Sequence, residues 1–92
     1  MQLLVTIELN GADLAAFEAY EATVLPLLAK YGARLEMRLR AIDDSSETHL
    51  LSFPSAEAFQ SYLADPARAA ARPQWERSGA KSTAVEVKDM AV

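Results

Sequence analysis

The chain contains no cysteine, which excludes disulfides, thiol nucleophiles, zinc-thiolate sites and iron-sulfur clusters. Such a composition suits the cytoplasm, and that is the expected location. Glycine is scarce, and the isolated Gly11, Gly32 and Gly79 form no phosphate-cradling loop. The single histidine, His49, has no metal-ligand spacing around it, so neither a metal nor a cofactor is expected. Basic clusters are missing as well. The formal net charge is -4 with no basic stripe, which argues against a nucleic-acid partner. No apolar run approaches the ~20 residues of a membrane span, so no membrane partner is expected. The opening "MQLLVTIELNG" lacks the basic residues of a leader, carries Glu8 and reads as a strand.

What remains is an ordinary globular composition, 51% hydrophobic and 24% charged, in 92 residues. We expect one domain over residues 1–92. A chain this short buries only about 60–65% of the surface it exposes unfolded, so a second copy that covers more surface would help.

Residues 2–9 alternate Leu3, Val5, Ile7 and Leu9 against Leu4, Thr6 and Glu8, the period of a strand. Asn10 or Asp13 caps a helix over about 13–31, with Leu14, Phe17, Val24, Leu28 and Tyr31 at helical spacing and Gly32 at its end. "ARLEMRLRAI" alternates again, placing Leu35, Met37 and Leu39 opposite Arg34, Glu36, Arg38 and Arg40. "DDSSE" reads as a polar loop, too poor in glycine for a calcium loop. "THLLSF" forms the third strand, and Ser55 caps a second helix with Ala56, Phe59, Tyr62 and Leu63 on its apolar stripe. Asp65-Pro66 starts a further helical segment that Pro73 interrupts, and "AKSTAVEVK" is the last strand.

Two strand-helix-strand units predict a ferredoxin-like βαββαβ α+β fold, a four-stranded antiparallel sheet with its helices on one face. Charge placement fits central first and third strands and charged edges. The open face should carry Leu4, Thr6, Ala84 and one set from the third strand. It can be solvated or packed against a copy; the thin core favours a homodimer.

"EAYEATVLPLLAKYGARLE" (18–36) and "ETHLLSFPSAEAFQSYLADP" (47–66) resemble an uncharacterised-function family of the dimeric alpha/beta barrel superfamily. The shared features are a Tyr-Glu pair, a proline and a glycine before the second strand, and a Phe-Pro-Ser turn opening the second helix. The resemblance implies a dimer whose sheets face each other. Superfamily relatives include cofactor-free monooxygenases, isomerases and haem enzymes, often with a pocket between sheet and helices. It supplies no agreed catalytic residues, and the chain departs from the pattern at Arg68 and Trp75.

Two ionisable groups stand out. At about 100° per residue, Glu21 projects into the middle of the first helix's apolar arc. His49 shares strand parity with Leu51 and Phe53, which places it beneath the helices; the opposite parity sets it beside Thr6, Glu8 and Arg38 in an intersubunit network. Under the first assignment Glu21 and His49 meet as a candidate acid-base pair, with Tyr20, Tyr31 and Trp75 as ligand-binding walls. The same meeting also satisfies two buried polar groups in a core. Pro26 inside the first helix predicts a bend. Three functions fit: binding of a small, mostly apolar molecule, cofactor-independent oxygenation or isomerisation with His49 as base and Glu21 to orient it, and structural or regulatory dimerisation.

Overall fold

The computed structural model describes all residues, Met1–Val92. Four strands, β1 (Gln2–Glu8), β2 (Arg34–Arg40), β3 (Ser46–Ser52) and β4 (Lys81–Val87), form one antiparallel sheet in the order β2-β3-β1-β4. The helices α1 (Leu14–Val24), α2 (Ala56–Leu63) and α3 (Pro66–Ser78) cover one face, with a 3-10 helix (Leu25–Tyr31) continuing α1. This is the expected ferredoxin-like arrangement. No helix is long and apolar enough to cross a membrane.

The caps follow their chemistry. Asp13, Ser55 and Asp65 sit in extended backbone and accept the amides of Ala16, Ala58 and Ala67 at 3.1, 3.0 and 2.8 Å. Asp13 rather than Asn10 is therefore the cap of α1. The expected single helix over 13–31 changes type after Val24. Pro26 has no amide to bond the carbonyl of Ala22, and the chain tightens into the 3-10 helix instead of bending as an α-helix. Pro73, in contrast, does not interrupt α3, which runs through it to Ser78. Both Pro73 and Ala69, whose carbonyl loses its partner, are exposed, so water replaces the missing bond.

The second strand contains the one irregularity in the sheet. Its register against β3 shifts between Leu35 and Met37, making Glu36 the extra residue of a bulge. The uniform alternation expected for this strand is therefore wrong. Leu35 pairs with Leu51 on the helix side, Met37 and Leu39 pair with Leu50 and Thr48 on the open side, and Arg38 and Arg40 turn under the helices. Two rows cross the sheet there: Arg38, His49, Val5 and Ala84, then Arg40, Glu47, Ile7 and Ser82. Ala84 thus lies on the helix side, not on the open face where it was expected.

The apolar core is divided. One cluster gathers Leu3, Leu28, Ala33, Leu51, Phe53 and Tyr62; the other gathers Ile7, Leu9, Phe17 and Ala80. Val5 touches both, and Leu3, Leu51 and Tyr62 of the first and Ile7 of the second line one cavity together with Glu21 and His49, a polar seam between the clusters. The molecule measures 36 × 35 × 16 Å, too thin for a layer beyond the sheet. On that open face Leu4, Met37, Leu39 and Val85 are 38–59% exposed.

Gly32 ends the 3-10 helix at φ +69°, and a Cβ there would meet Pro54 Cγ at 3.4 Å. Gly32→Ala is expected to cost about 1–2 kcal/mol in urea denaturation, because an L-residue is disfavoured in the left-handed region. An unchanged midpoint would contradict the assigned cap.

Candidate active site

His49 lies beneath the helices, as its parity with Leu51 and Phe53 predicts, and is 3% exposed. Glu21 is delivered to the same place by α1, one turn after Phe17 and just before Val24, all three buried. The two meet, with Glu21 Oε2 3.9 Å from His49 Nε2. The hydrogen bond to the imidazole comes from elsewhere. Glu47, two residues before His49 on the same strand face, accepts from Nε2 at 2.6 Å. Glu47 was expected in the polar loop; β3 starts at Ser46 and buries it at 2% exposure.

The Glu47 carboxylate has three partners. Oε2 accepts from His49 Nε2 and from Arg38 Nε at 3.0 Å, and Oε1 accepts from Arg40 Nε at 3.0 Å. Both guanidinium groups also reach Glu18 on α1, Arg38 at 3.5 Å and Arg40 in a closer ion pair. Burial pushes the Glu47 carboxyl up, but the bonds from His49, Arg38 and Arg40 outweigh it and hold it below its ordinary value. Glu47 is thus ionised and can only accept. That makes Nε2 the donor, so whenever the ring is neutral its lone pair is on Nδ1.

Glu21 has the opposite environment. Burial, then the charge of Glu47, push its carboxyl up to about 7, against a smaller pull from Arg38. Its Oε2 is the only buried side-chain nitrogen or oxygen without a hydrogen-bond partner. Oε1 also makes no hydrogen bond but is not sealed in the same way, so a proton carried on Oε1 is available to a ligand in the cavity. Two glutamates a few ångströms apart are therefore driven to different charge states, Glu47 by its three donors and Glu21 chiefly by burial.

A cavity of about 410 Å³ opens between the sheet and the helices, within the usual range for small-molecule sites. Glu21, His49, Tyr20 and Trp75 line it, together with Arg68 and apolar residues such as Leu51 and Phe59. His49 Nδ1 makes no hydrogen bond within the protein and is not among the sealed atoms, so it is open to this cavity. Tyr20 and Trp75 stack with ring centroids 5.2 Å apart. Tyr31, expected as a wall, is not one. Its hydroxyl donates to Asp65, which Lys30 also grips at 2.9 Å, and these bonds hold the Asp65 carboxyl at about 2. That cluster ties the 3-10 helix to the start of α3.

Glu21, Glu47 and His49 offer ligand atoms within 4.8 Å of one another, the spacing of a metal site. The donor set fits a proton better. A cation between them would displace the His49–Glu47 bond and face the two guanidinium groups that already neutralise Glu47.

No protein-family model matches the chain, and no curated protein matches it. Several solved structures share its fold. SnoaB, a cofactor-independent oxygenase from Streptomyces nogalater, is 20% identical with a TM-score of 0.71, over 97% of this chain and 93% of that one. Rv0793 from Mycobacterium tuberculosis is 17% identical with a TM-score of 0.68, over 99% and 98% of the two chains. A candidate antibiotic biosynthesis monooxygenase from Deinococcus radiodurans is 13% identical with a TM-score of 0.65, over 100% and 97%. The chain shares the ferredoxin-like fold of these structures.

The Glu21 environment has a measurable consequence for stability. Its folded value of about 7 lies above the ordinary 4.5, so its protonated form favours the fold. This contribution is complete below pH 4.5 and is lost as pH rises through 7. Glu21→Gln should therefore match the wild type in stability near pH 4 and exceed it by about 3 kcal/mol above pH 8, read from denaturant titrations. A difference that does not vary with pH would contradict the assigned charge state.

Proposed function

We propose that the protein is an acid-base enzyme acting on a small, mostly apolar molecule held between the sheet and the helices. The observation that carries this reading is the buried His49, oriented by the ionised Glu47 and open at Nδ1 to a cavity that also holds the protonatable Glu21. His49 Nδ1 takes a proton from an activated C–H or O–H of the substrate. The electron pair left behind moves onto the substrate's oxygen, and the neutral Glu21 carboxyl donates a hydrogen bond to it. Glu47 stabilises the imidazolium that forms and fixes the ring's orientation. It takes the orienting part that Glu21 was expected to play.

Proton removal of this kind opens both cofactor-independent oxygenation, in which the carbanion reacts with dioxygen, and isomerisation, in which the proton returns to another carbon. The fold is shared with SnoaB, described as a cofactor-independent oxygenase, which supports the first course. Cyclic 1,3-diketones and polyhydroxylated aromatics in deuterium oxide test the proton step by NMR, with an oxygen electrode reporting uptake. We expect exchange accelerated by the wild type and reduced about 100-fold or more in His49→Gln. A folded His49→Gln protein that exchanges as fast as the wild type would eliminate the base.

The second part of the proposal is a homodimer formed through the open sheet face. Exposed Leu4, Met37, Leu39 and Val85 form an apolar surface that a copy of the chain would bury. Sedimentation should find a dimer at micromolar concentration and a monomer for Leu39→Glu. A wild-type monomer under those conditions would reject the assembly.

A further inference from the structure

The proposed reaction makes no use of Arg68, yet this residue is placed unlike any other cation in the chain. It lies in the first turn of α3, where the positive end of the helix dipole disfavours a cation. Its guanidinium is half-buried, lines the cavity and stacks 4.6 Å from the centre of the Tyr62 ring. Arg38, Arg40 and Arg72 each hold a carboxylate, at 3.0, 2.8 and 3.2 Å. Arg68 holds none. Arg34 and Arg77 also lack one, but both are exposed to solvent.

Beside it stands Tyr20, which also lines the cavity and whose hydroxyl oxygen faces Arg68, leaving its own hydrogen free for a ligand. Arg68 lies within electrostatic reach of the hydroxyls of Tyr20 and Tyr62, but Tyr62 already donates to the carbonyl of Val24 at 3.1 Å. One planar guanidinium and the hydroxyl hydrogen of the tyrosine beside it match a monoanion with two coplanar oxygens. The second guanidinium at the cavity, Arg72, is already held by Glu76 at 3.2 Å, so Arg68 is the one left without a carboxylate there, which suits a monoanion better than a phosphoryl dianion.

We infer that the cavity selects an amphiphilic carboxylate, with its carboxylate on Arg68 and Tyr20 and its apolar, planar body against the aromatic and aliphatic walls. The inference rests on the cavity reading above and adds the charge class of the ligand. Arg68 is then the residue that sets specificity, and His49 and Glu21 act on the far part of the bound molecule. Neighbouring charge does not oppose the anion: Glu47 is neutralised by Arg38 and Arg40, and Glu21 accommodates a proton.

Isothermal titration calorimetry with 2-naphthoate and its neutral counterpart 2-naphthalenemethanol separates the terms. The wild type should bind 2-naphthoate about ten- to a hundredfold more tightly than the alcohol, the range for charge-assisted bonds. Arg68→Gln should lose that preference and bind the alcohol as the wild type does, which also shows that the variant is folded. Equal binding of both probes by the wild type, or a preference retained in Arg68→Gln, would overturn the carboxylate subsite and leave the cavity reading standing. Binding of neither probe would overturn the cavity reading and the subsite with it. The wild-type comparison decides the matter even where Arg68→Gln fails to fold.

Discussion

A buried carboxylate with three donors, Glu47, governs the arrangement of this molecule's polar interior. Removing a carboxylate from water costs several kcal/mol, and hydrogen bonds from Arg38, Arg40 and His49 offset that cost. The arginines reach it only because the bulge at Glu36 turns two residues of an edge strand under the helices. Once Glu47 is ionised, the tautomer of His49 follows. Burial of Glu21, and after it the charge of Glu47, raises the Glu21 carboxyl toward its protonated form. One ion pair network thus sets a base and an acid side by side.

The seam explains how such a small protein accommodates this chemistry. A continuous apolar core would fill the space between α1 and the sheet, but here the core is split in two, with Val5 as the shared contact. The cavity and its ionisable groups occupy the break. The price is stability, since Glu21 destabilises the fold once it ionises and only 18 of 92 residues are buried, five of them polar or charged. An apolar open face that recruits a second copy would compensate on the opposite side of the sheet.

Much of the fold is legible in the sequence because each signal is local. Period-two alternation in "QLLVTIEL", the capping side chains and the glycines delimit the elements, and the parity of His49 with Leu51 and Phe53 places it under the helices. Glu21 stands out as a charge in an apolar arc, and its meeting with His49 follows from those two placements. Three features were hidden, each for a physical reason. Glu47 ends a run of loop-like residues, so nothing in its neighbourhood marks it as the buried start of a strand. The bulge leaves the period of "RLEMRLR" intact on paper, because an extra residue in one strand is visible only against its partner. Tyr31 was placed on an α-helical wheel. The seven residues from Leu25 advance at about 120° rather than about 100° each, which rotates Tyr31 by roughly 140° away from the cavity wall. Arg68 was visible as a cation on a helix, but its stacking on Tyr62 and its want of a carboxylate are properties of the packed structure.

The central claim is the protonation pattern that Glu47 imposes on His49. Because the chain has one histidine, a long-range proton–nitrogen NMR correlation of imidazole-labelled protein reports it without assignment ambiguity. With the ring in its neutral form, the account predicts the proton on Nε2 and the lone pair on Nδ1. A ring with its proton on Nδ1, or one that exchanges freely between the two tautomers as in a solvated imidazole, would contradict it.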